Sequence, residues 1–461
     1  MRASGNRQRW GRRQFLQSAA GAALVFGPAA FAAAEAGEGG APINVALIGA
    51  GTQGSTLLTA CLKIPGVRFA AVCDIWEAYN LKRASRLLQR YGHPGAPYTD
   101  YETMLKTEEN LHAAIVATPD CWHDRHTVAC LEAGLHVYCE KAMSNTVAGA
   151  RRMVEAARRT GKLLQIGHQR RSNPRYLFCL DKLLKDVQLL GRITAVNGQW
   201  NRTVQPPLGW PKGTDIDPAV LQRYGYQSMH QFRNWRWSKG LGGGPIVDLG
   251  AHQIDVYNWF LGARAKSVVA SGRLNYYDPQ THDWYDTVMA IYEYDAPQGP
   301  VTASYQTLSA NAHQGYFEKF LGDQGTLVMS ERSDLTKLHP ESTGRPALTW
   351  ARCVKDGYLT ARPEWMKLVE RMSLEELAGA LSVSDSLNTT GGIPTLEPAV
   401  EMHKLIHQPH LENFFDAIRG RARLNCPAEV GYEAAVTVLK VNEAIAAGRR
   451  LEFEAKEFTV A

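Results

Sequence analysis

Apolar residues fall along this chain in two rhythms. Between residues 43 and 166, short runs rich in branched side chains alternate with longer amphipathic stretches. Residues 43–48, Ile-Asn-Val-Ala-Leu-Ile, form the first run, and its near-continuous apolar character predicts a strand buried on both faces. Further strands are expected over 68–73, 113–117, 136–139 and 163–166, with helices over 55–62, 77–90, 122–133 and 148–160. Strands alternating with helices predict a parallel, doubly wound sheet, in which ligands gather at the carboxyl ends of the strands.

Beyond residue 170 the alternation stops. Closely spaced runs over 193–200, 266–276, 286–294, 301–309 and 315–321 predict a mainly antiparallel sheet. Helical periodicity returns over 246–261, 411–420 and 429–447, whereas 331–400 is broken by Pro and Gly and receives no assignment.

The first strand runs directly into Gly49-Ala50-Gly51-Thr52-Gln53-Gly54, and a helical pattern follows. Strand, glycine loop and helix in that order form a dinucleotide fingerprint. Gly49 allows the tight turn, Gly51 lets backbone approach a pyrophosphate, and Gly54 lets helix and strand pack closely. The second strand ends at Asp74, 20 residues after Gly54, where an acid binds a ribose 2′-hydroxyl and repels a 2′-phosphate. Ile75 and Trp76 offer no basic substitute, so NAD is expected rather than NADP. Residues 43–168 therefore read as an α/β Rossmann domain, and Thr118-Pro119-Asp120, Glu140-Lys141 and Gly167 to Arg171 lie at later strand ends.

Charge changes the picture only at the start of the chain. The 461 residues carry a formal net charge of +6, but residues 1–34 hold Arg2, Arg7, Arg9, Arg12 and Arg13 and no acid, and the rest is close to balanced. No basic stripe elsewhere points to nucleic acid. Gly11-Arg12-Arg13-Gln14-Phe15-Leu16, the apolar stretch 19–33 and Ala32-Ala33-Ala34 together read as a cleaved twin-arginine signal peptide over 1–34. The alternative is a retained anchor, but that stretch falls short of the ~20 residues a membrane span needs. Export through the twin-arginine machinery places the protein in the periplasm or beyond, with no stable membrane association. The eight cysteines include no C-x-x-C pair and read as structural thiols, buried before export. No spacing of acids and histidines suggests a metal, and no G-x-S-x-G element suggests a serine nucleophile.

Asp248, His252 and Asp255 share one face of the helix expected over 246–261, entered through Gly242-Gly243-Gly244. A carboxylate one turn from a histidine can fix its tautomer and raise its basicity. Spacing alone favours the plainer reading, a capping aspartate and a satisfied core histidine. Asp255 divides between a pocket residue and a structural hydrogen bond.

The fingerprint, Ala117-Thr118-Pro119, Glu140-Lys141, the segment 167–174, and the glycine run followed by Asp248-x-x-x-His252 resemble, in order and spacing, the Gfo/Idh/MocA family of glucose–fructose oxidoreductases and inositol dehydrogenases. The resemblance covers residues 43–455 and departs at Ala142, where the family has proline after Glu-Lys. It implies an α+β substrate domain over 169–455 whose sheet face forms homo-oligomer contacts. It also implies that Lys141 reaches both nicotinamide ribose and substrate hydroxyl, where a cation stabilises developing alkoxide. Cofactor contacts are then expected from Gly49, Gly51, Thr52, Gln53, Gly54, Asp74, Thr118, Pro119, Glu140 and Lys141. The expected catalytic group is Lys141, His252 as base and Asp248 orienting it.

Substrate contacts are sought among His168, Gln169, Arg171, Arg236, Trp237 and Asp255, since arginine bonds hydroxyls or carboxylates and tryptophan stacks on sugar rings. The arginines fit interdomain ion pairs as well. His123, His230 and Trp200 are weaker candidates.

The expected function is NAD-dependent oxidation of a sugar or cyclic polyol. Free NAD is scarce outside the cytoplasm, so the cofactor is expected to stay bound and be regenerated in each cycle. Glycoside cleavage by transient oxidation uses the same site and is the alternative. A non-catalytic sugar or NAD sensor is the third reading, and the intact Lys141, Asp248 and His252 speak against it.

Overall fold

Six parallel strands build the first sheet of the computed structural model, which describes residues 41–341, 345–382 and 395–460. The signal peptide expected over residues 1–34 lies outside the described residues. The strands are β1 (Ile43–Ile48), β2 (Val67–Cys73), β3 (Ala96–Tyr98), β4 (Ala113–Val116), β5 (His136–Cys139) and β6 (Leu164–Ile166). Their order, β3-β2-β1-β4-β5-β6, puts β1 at the centre. Helices α1 (Thr52–Cys61), α2 (Lys82–Arg90), α3 (Tyr101–Thr107), α4 (Asp120–Glu132) and α5 (Val147–Thr160) connect them. β4 is buried throughout, as a strand covered on both faces must be.

The chain leaves β6 through short helical turns and enters an eight-stranded sheet. Its principal strands are β7 (Ile193–Asn201), β8 (Ala265–Arg273), β9 (Thr287–Ala296), β10 (Gly299–Leu308), β11 (Tyr316–Gly322), β12 (Gly325–Met329) and β13 (Lys337–Pro340). Every pairing is antiparallel except β7 with β10. Alternation along β9 and β10 turns Tyr292, Tyr294, Ala303 and Tyr305 inward, with Tyr294 bonded to Asn258 and Tyr305 to Gln253 of helix α6 (Gly244–Leu261), while Met289 and Ile291 face out. This is the expected α/β dinucleotide-binding domain followed by a mainly antiparallel α+β domain. Helices α7 (Gln408–Ile418) and α8 (Ala428–Ala447) return the chain to the first domain. One apolar core runs from Ala46 through Ile254 and Tyr292 to Val438, so residues from Ile43 onward form a single compact unit.

Between β7 and α6 lies a segment with little regular structure, whose helical turns are Pro218–Arg223, Met229–Arg233 and Trp235–Trp237. Its apolar side chains Ile216, Leu221, Tyr224, Tyr226, Met229 and Trp235 form a small core around Trp76, which follows β2. The Trp76 indole N–H donates to the Thr214 carbonyl, and Trp122 donates to the Tyr224 carbonyl at 3.3 Å. The segment is thereby fastened over the carboxyl ends of β2 and β4. Among the described residues, no helix is long and apolar enough to cross a membrane, and no group of three or more His, Cys, Asp or Glu is placed to hold a metal.

Candidate active site

A cleft of about 550 Å³ opens between the carboxyl ends of the parallel strands and the outer segment. The glycine loop forms its floor. Gly49 has φ +89°, and a side chain there would strike the Ala117 backbone at 2.7 Å. At Gly54 a Cβ would lie 1.9 Å from the Gly49 carbonyl oxygen, so α1 packs against the turn only because that side chain is missing. Gly51 differs: its added Cβ would meet only Asn80 Nδ2, at 3.8 Å, and the space beside it belongs to the cleft. Gly51 is also the N-cap of α1 and supplies no side-chain cap, which leaves first-turn N–H groups for an anion. A cradle that a single methyl would fill, at a bare helix N-terminus, fits a dinucleotide pyrophosphate.

Asp74 stands where β2 ends. Its carboxylate accepts from Ala50 N–H at 2.7 Å, Trp76 N–H at 2.8 Å and Asn80 Nδ2 at 3.2 Å. Burial pushes its carboxyl up to about 6 in spite of these donors. The same groups tie the glycine loop to the second strand. Thr118 and Pro119 line the cleft at the end of β4, as do Thr52 and Gln53. Gln53 Nε2 donates to Glu140 Oε1 at 3.1 Å and lies 3.0 Å from His407 Nε2.

Lys141 follows β5. The Lys141–Ala142 peptide, where the family has proline, is cis. Lys141 Nζ donates to the Asp248 carbonyl at 2.6 Å and to Asp248 Oδ1 at 3.1 Å, and Arg236 Nε lies 3.3 Å from Oδ2. Burial alone would raise the Asp248 carboxyl, but Lys141, Arg236 and Arg202 hold it far below the usual carboxylate range. His252, one turn along α6, is buried against Trp200, with ring centroids 5.5 Å apart. Burial, then the charges of Lys141 and Arg170, hold its imidazole well below the ordinary value, so it is neutral at neutral pH. Among the described residues His252 Nδ1 has no hydrogen-bond partner, and Asp248 makes no bond to this ring. The expected orientation of His252 by Asp248 is thus replaced by a Lys141–Asp248–Arg236 cluster beside it. The helical spacing brings the two residues to one face, but the two cations attract the carboxylate more strongly than a neutral ring does.

The residues sought for substrate divide in two. Gln169, Arg236 and Trp237 line the cleft. His168, Arg171 and Asp255 lie behind it and do not. Arg171 grips Asp255 through three contacts of 2.8–3.0 Å, and Asp255 is 1% exposed. His168 Nδ1 is 3.8 Å from the same carboxylate, and burial holds that imidazole down to about 4. These three form an interior ion cluster. Of the weaker candidates, Trp200 lines the cleft, His230 is exposed away from it, and His123 is buried with its ring nitrogens 2.8 and 2.7 Å from the Ala142 and Thr118 carbonyls.

Several cleft residues had no role assigned to them from the sequence, although Asp120 belongs to a strand-end segment marked there. Asp120 follows Thr118-Pro119 directly and is 4% exposed, and burial pushes its carboxyl up to about 6. Arg202 follows the last residue of β7, and Tyr316 stacks on Trp200 with centroids 4.4 Å apart. His407 reaches the glycine loop from 354 residues away in sequence.

A glycine cradle closing the first buried strand, an acid ending the second, and a lysine beside a neutral histidine at the mouth define an NAD-binding oxidoreductase. The chain belongs to the Gfo/Idh/MocA family. Residues 43–168 match the family model described as an oxidoreductase family with NAD-binding Rossmann fold, and residues 184–328 match the GFO/IDH/MocA C-terminal domain. The chain is 30% identical over 268 residues to a D-glucoside 3-dehydrogenase of Escherichia coli, covering 55% of this chain and 67% of that one. It is 26% identical over 334 residues to inositol 2-dehydrogenase 2 of Saccharopolyspora erythraea, covering 70% and 84%. The solved structure of a levoglucosan dehydrogenase in complex with NADH superposes with a TM-score of 0.63 over 90% of this chain and 99% of that one. At 19% identity, that likeness speaks to the fold.

Proposed function

We propose that the protein oxidises a hydroxyl of a sugar or cyclic polyol, with NAD held at the glycine cradle and Asp74 and kept bound through the cycle. The observation that carries this reading is the neutral His252 sharing the cleft with Lys141, which Asp248 fixes in place. Bound NAD supplies the hydride acceptor. His252 takes the hydroxyl proton on Nε2, the ring nitrogen not closed off by the protein, as only a neutral imidazole can. Lys141 stabilises the negative charge that grows on the substrate oxygen. The segment over β2 and β4 retains the dinucleotide, which suits a protein exported through the twin-arginine route with its cofactor loaded. The outward Val269, Met289 and Ile291 suit contact with a second copy of the chain.

The deciding experiment purifies the full chain without added cofactor, records bound nucleotide, and offers sugars and polyols. Reduction of the bound NAD by a sugar, lost in Lys141→Ala and His252→Ala, supports the reading. A preparation that neither carries nor takes up nucleotide refutes it. Fractionation of cells expressing the full chain and an Arg12→Lys/Arg13→Lys variant tests export: the variant should stay in the cytoplasm.

Asp120 favours a second reading. It is a buried carboxyl in the cleft, and its raised value makes it a proton acceptor near neutral pH beyond what oxidation alone requires. Glycoside cleavage needs such a base to take the proton from the carbon beside the transient ketone. Release of aglycone without net NADH, abolished in Asp120→Asn while reduction of bound NAD persists, would establish cleavage over simple oxidation.

A further inference from the structure

Charge is unevenly distributed at the substrate end of the cleft. Three cations converge on the single carboxylate of Asp248: Lys141 at 3.1 Å, Arg236 at 3.3 Å and Arg202 at 3.8 Å. Two further acids act on Arg236 from farther off: Asp120, and Glu140, which is held by Gln53 Nε2 at 3.1 Å. Glu331, also in the cleft wall, is already engaged by Arg170 at 3.3 Å and by Gln169 at 2.9 Å. Arg170 is balanced in turn by Glu318. Among the described residues Asp248 is thus the one carboxylate within 4 Å of Lys141, Arg202 and Arg236, so three cations share a single contacting acid, and the oxidised nicotinamide ring is itself positive.

The two arginines are built for recognition rather than for holding the fold. Arg202 lies over the Trp200 ring at 5.2 Å, and Arg236 lies over the Trp235 ring at 4.4 Å. Among the described residues the Arg202 guanidinium makes no hydrogen bond. Arg236 has one close acceptor, Asp248. Each guanidinium carries five N–H donors in a flat fork, so most remain unspent at the cleft. Aromatic backing fixes the planes of both forks, which lowers the cost of ordering them around a ligand. Hydroxyl groups would use the donors but leave three cations sharing one contacting carboxylate. A flat anion satisfies both.

We propose that the substrate is an acidic sugar whose carboxylate is received between Arg202 and Arg236 while the hydroxyl to be oxidised faces Lys141 and His252. This rests on the dehydrogenase reading for the hydroxyl and adds the class of the ring that bears it. Arg202 becomes the residue that separates glycuronates from neutral sugars.

The test uses the full-length protein loaded with NADH and reads equilibrium binding by calorimetry, which needs no turnover. The ligands are methyl glycosides in matched pairs that differ only at C6, alcohol against carboxylate, in the gluco, galacto and manno series, with glucose 6-phosphate added. At least one uronate should bind about tenfold or more tightly than its neutral partner, the yield of one charge-assisted contact. Arg202→Gln should bring the pair to near parity. Arg202→Lys, which keeps the charge and loses the fork, should fall between. Absence of preference in all three pairs, tighter binding of the sugar phosphate, or equal weakening of acid and neutral ligands by Arg202→Gln would overturn the proposal. Turnover is then measured with the NAD-loaded protein. Uronate binding that depends on Arg202, without oxidation or aglycone release, would sink the dehydrogenase reading and leave the anion site standing. Oxidation of neutral sugars alone would do the reverse.

Discussion

Gly51→Ala and Gly54→Ala, three residues apart, should fail in different ways. An alanine at 51 keeps an ordinary backbone, since φ there is −65°, and its methyl has 3.8 Å of clearance from the nearest protein atom. The apo protein should hold its stability or gain up to about 1 kcal/mol from a stiffer unfolded chain. The methyl would, however, occupy the space through which a pyrophosphate reaches the N–H groups at the start of α1. Losing one or two charge-assisted bonds there costs roughly 3 kcal/mol, about a hundredfold in Kd for NAD.

At 54 the methyl would sit 1.9 Å from a backbone carbonyl oxygen, whereas carbon and oxygen rest at about 3.3 Å. Helix and turn must separate by more than an ångström, and no rotamer change relieves the clash. Overpacking of this kind costs about 1–3 kcal/mol in stability, with NAD affinity lost as well. Urea unfolding of the apo protein and fluorescence titration with NADH separate the two outcomes. A Gly51→Ala protein that binds NADH as tightly as wild type would refute the placement of the pyrophosphate.

Three further outcomes follow from the site. Arg171→Met should cost about 3–5 kcal/mol, because it strands the buried Asp255 carboxylate, whereas the double variant Arg171→Met/Asp255→Leu should recover most of that in urea unfolding; a raised substrate KM at unchanged stability would return Arg171 to the substrate. NAD affinity should weaken as pH falls through about 6, where Asp74 takes a proton, and titration of Asp74→Asn should show weaker binding with that pH dependence gone. His123 donates to two carbonyls and so carries both ring protons; burial opposes this, but Cys139, Asp120 and the Ala142 carbonyl raise its value to about 10 from 6.5. Because the folded value is the higher one, its contribution to stability is full below 6.5 and is lost as pH rises through about 10. Nitrogen NMR should find an imidazolium at pH 8, and a neutral tautomer there would be the contrary result.

Periodicity carried most of the fold because buried parallel strands leave little room for polar residues. β1 and β5 run over the residues their apolar content marks. α1 begins at Thr52, earlier than expected, because the fingerprint's second glycine is its N-cap and the turn and helix share residues. β3 was missed: it is three residues long and contains Pro97. β12 and β13 escaped for a similar reason, being short and lying next to or within the stretch broken by Pro and Gly. In the site, strand ends mark which residues reach the cleft, since topology delivers them there. Depth was not legible. His168, Arg171 and Asp255 follow the same strand and helix as Gln169 and His252, yet point one layer inward, and only packing decides that. Arg202 and His407 stand alone in sequence, and only the folded chain brings them to the glycine loop and the helix.

The core around Trp76 makes the outer segment and the dinucleotide domain share their apolar side chains. The segment cannot swing as a rigid door, because lifting it breaks up the cluster that Trp235, Tyr226 and Met229 form with Trp76 and wets all of them. Departure of the nucleotide is then a local unfolding event rather than simple desorption. Its rate should climb about three- to sixfold for each 10 °C, as unfolding rates do, and mild denaturant should speed it well below the concentration that unfolds the whole chain. Temperature would thus set how long each molecule keeps its nucleotide.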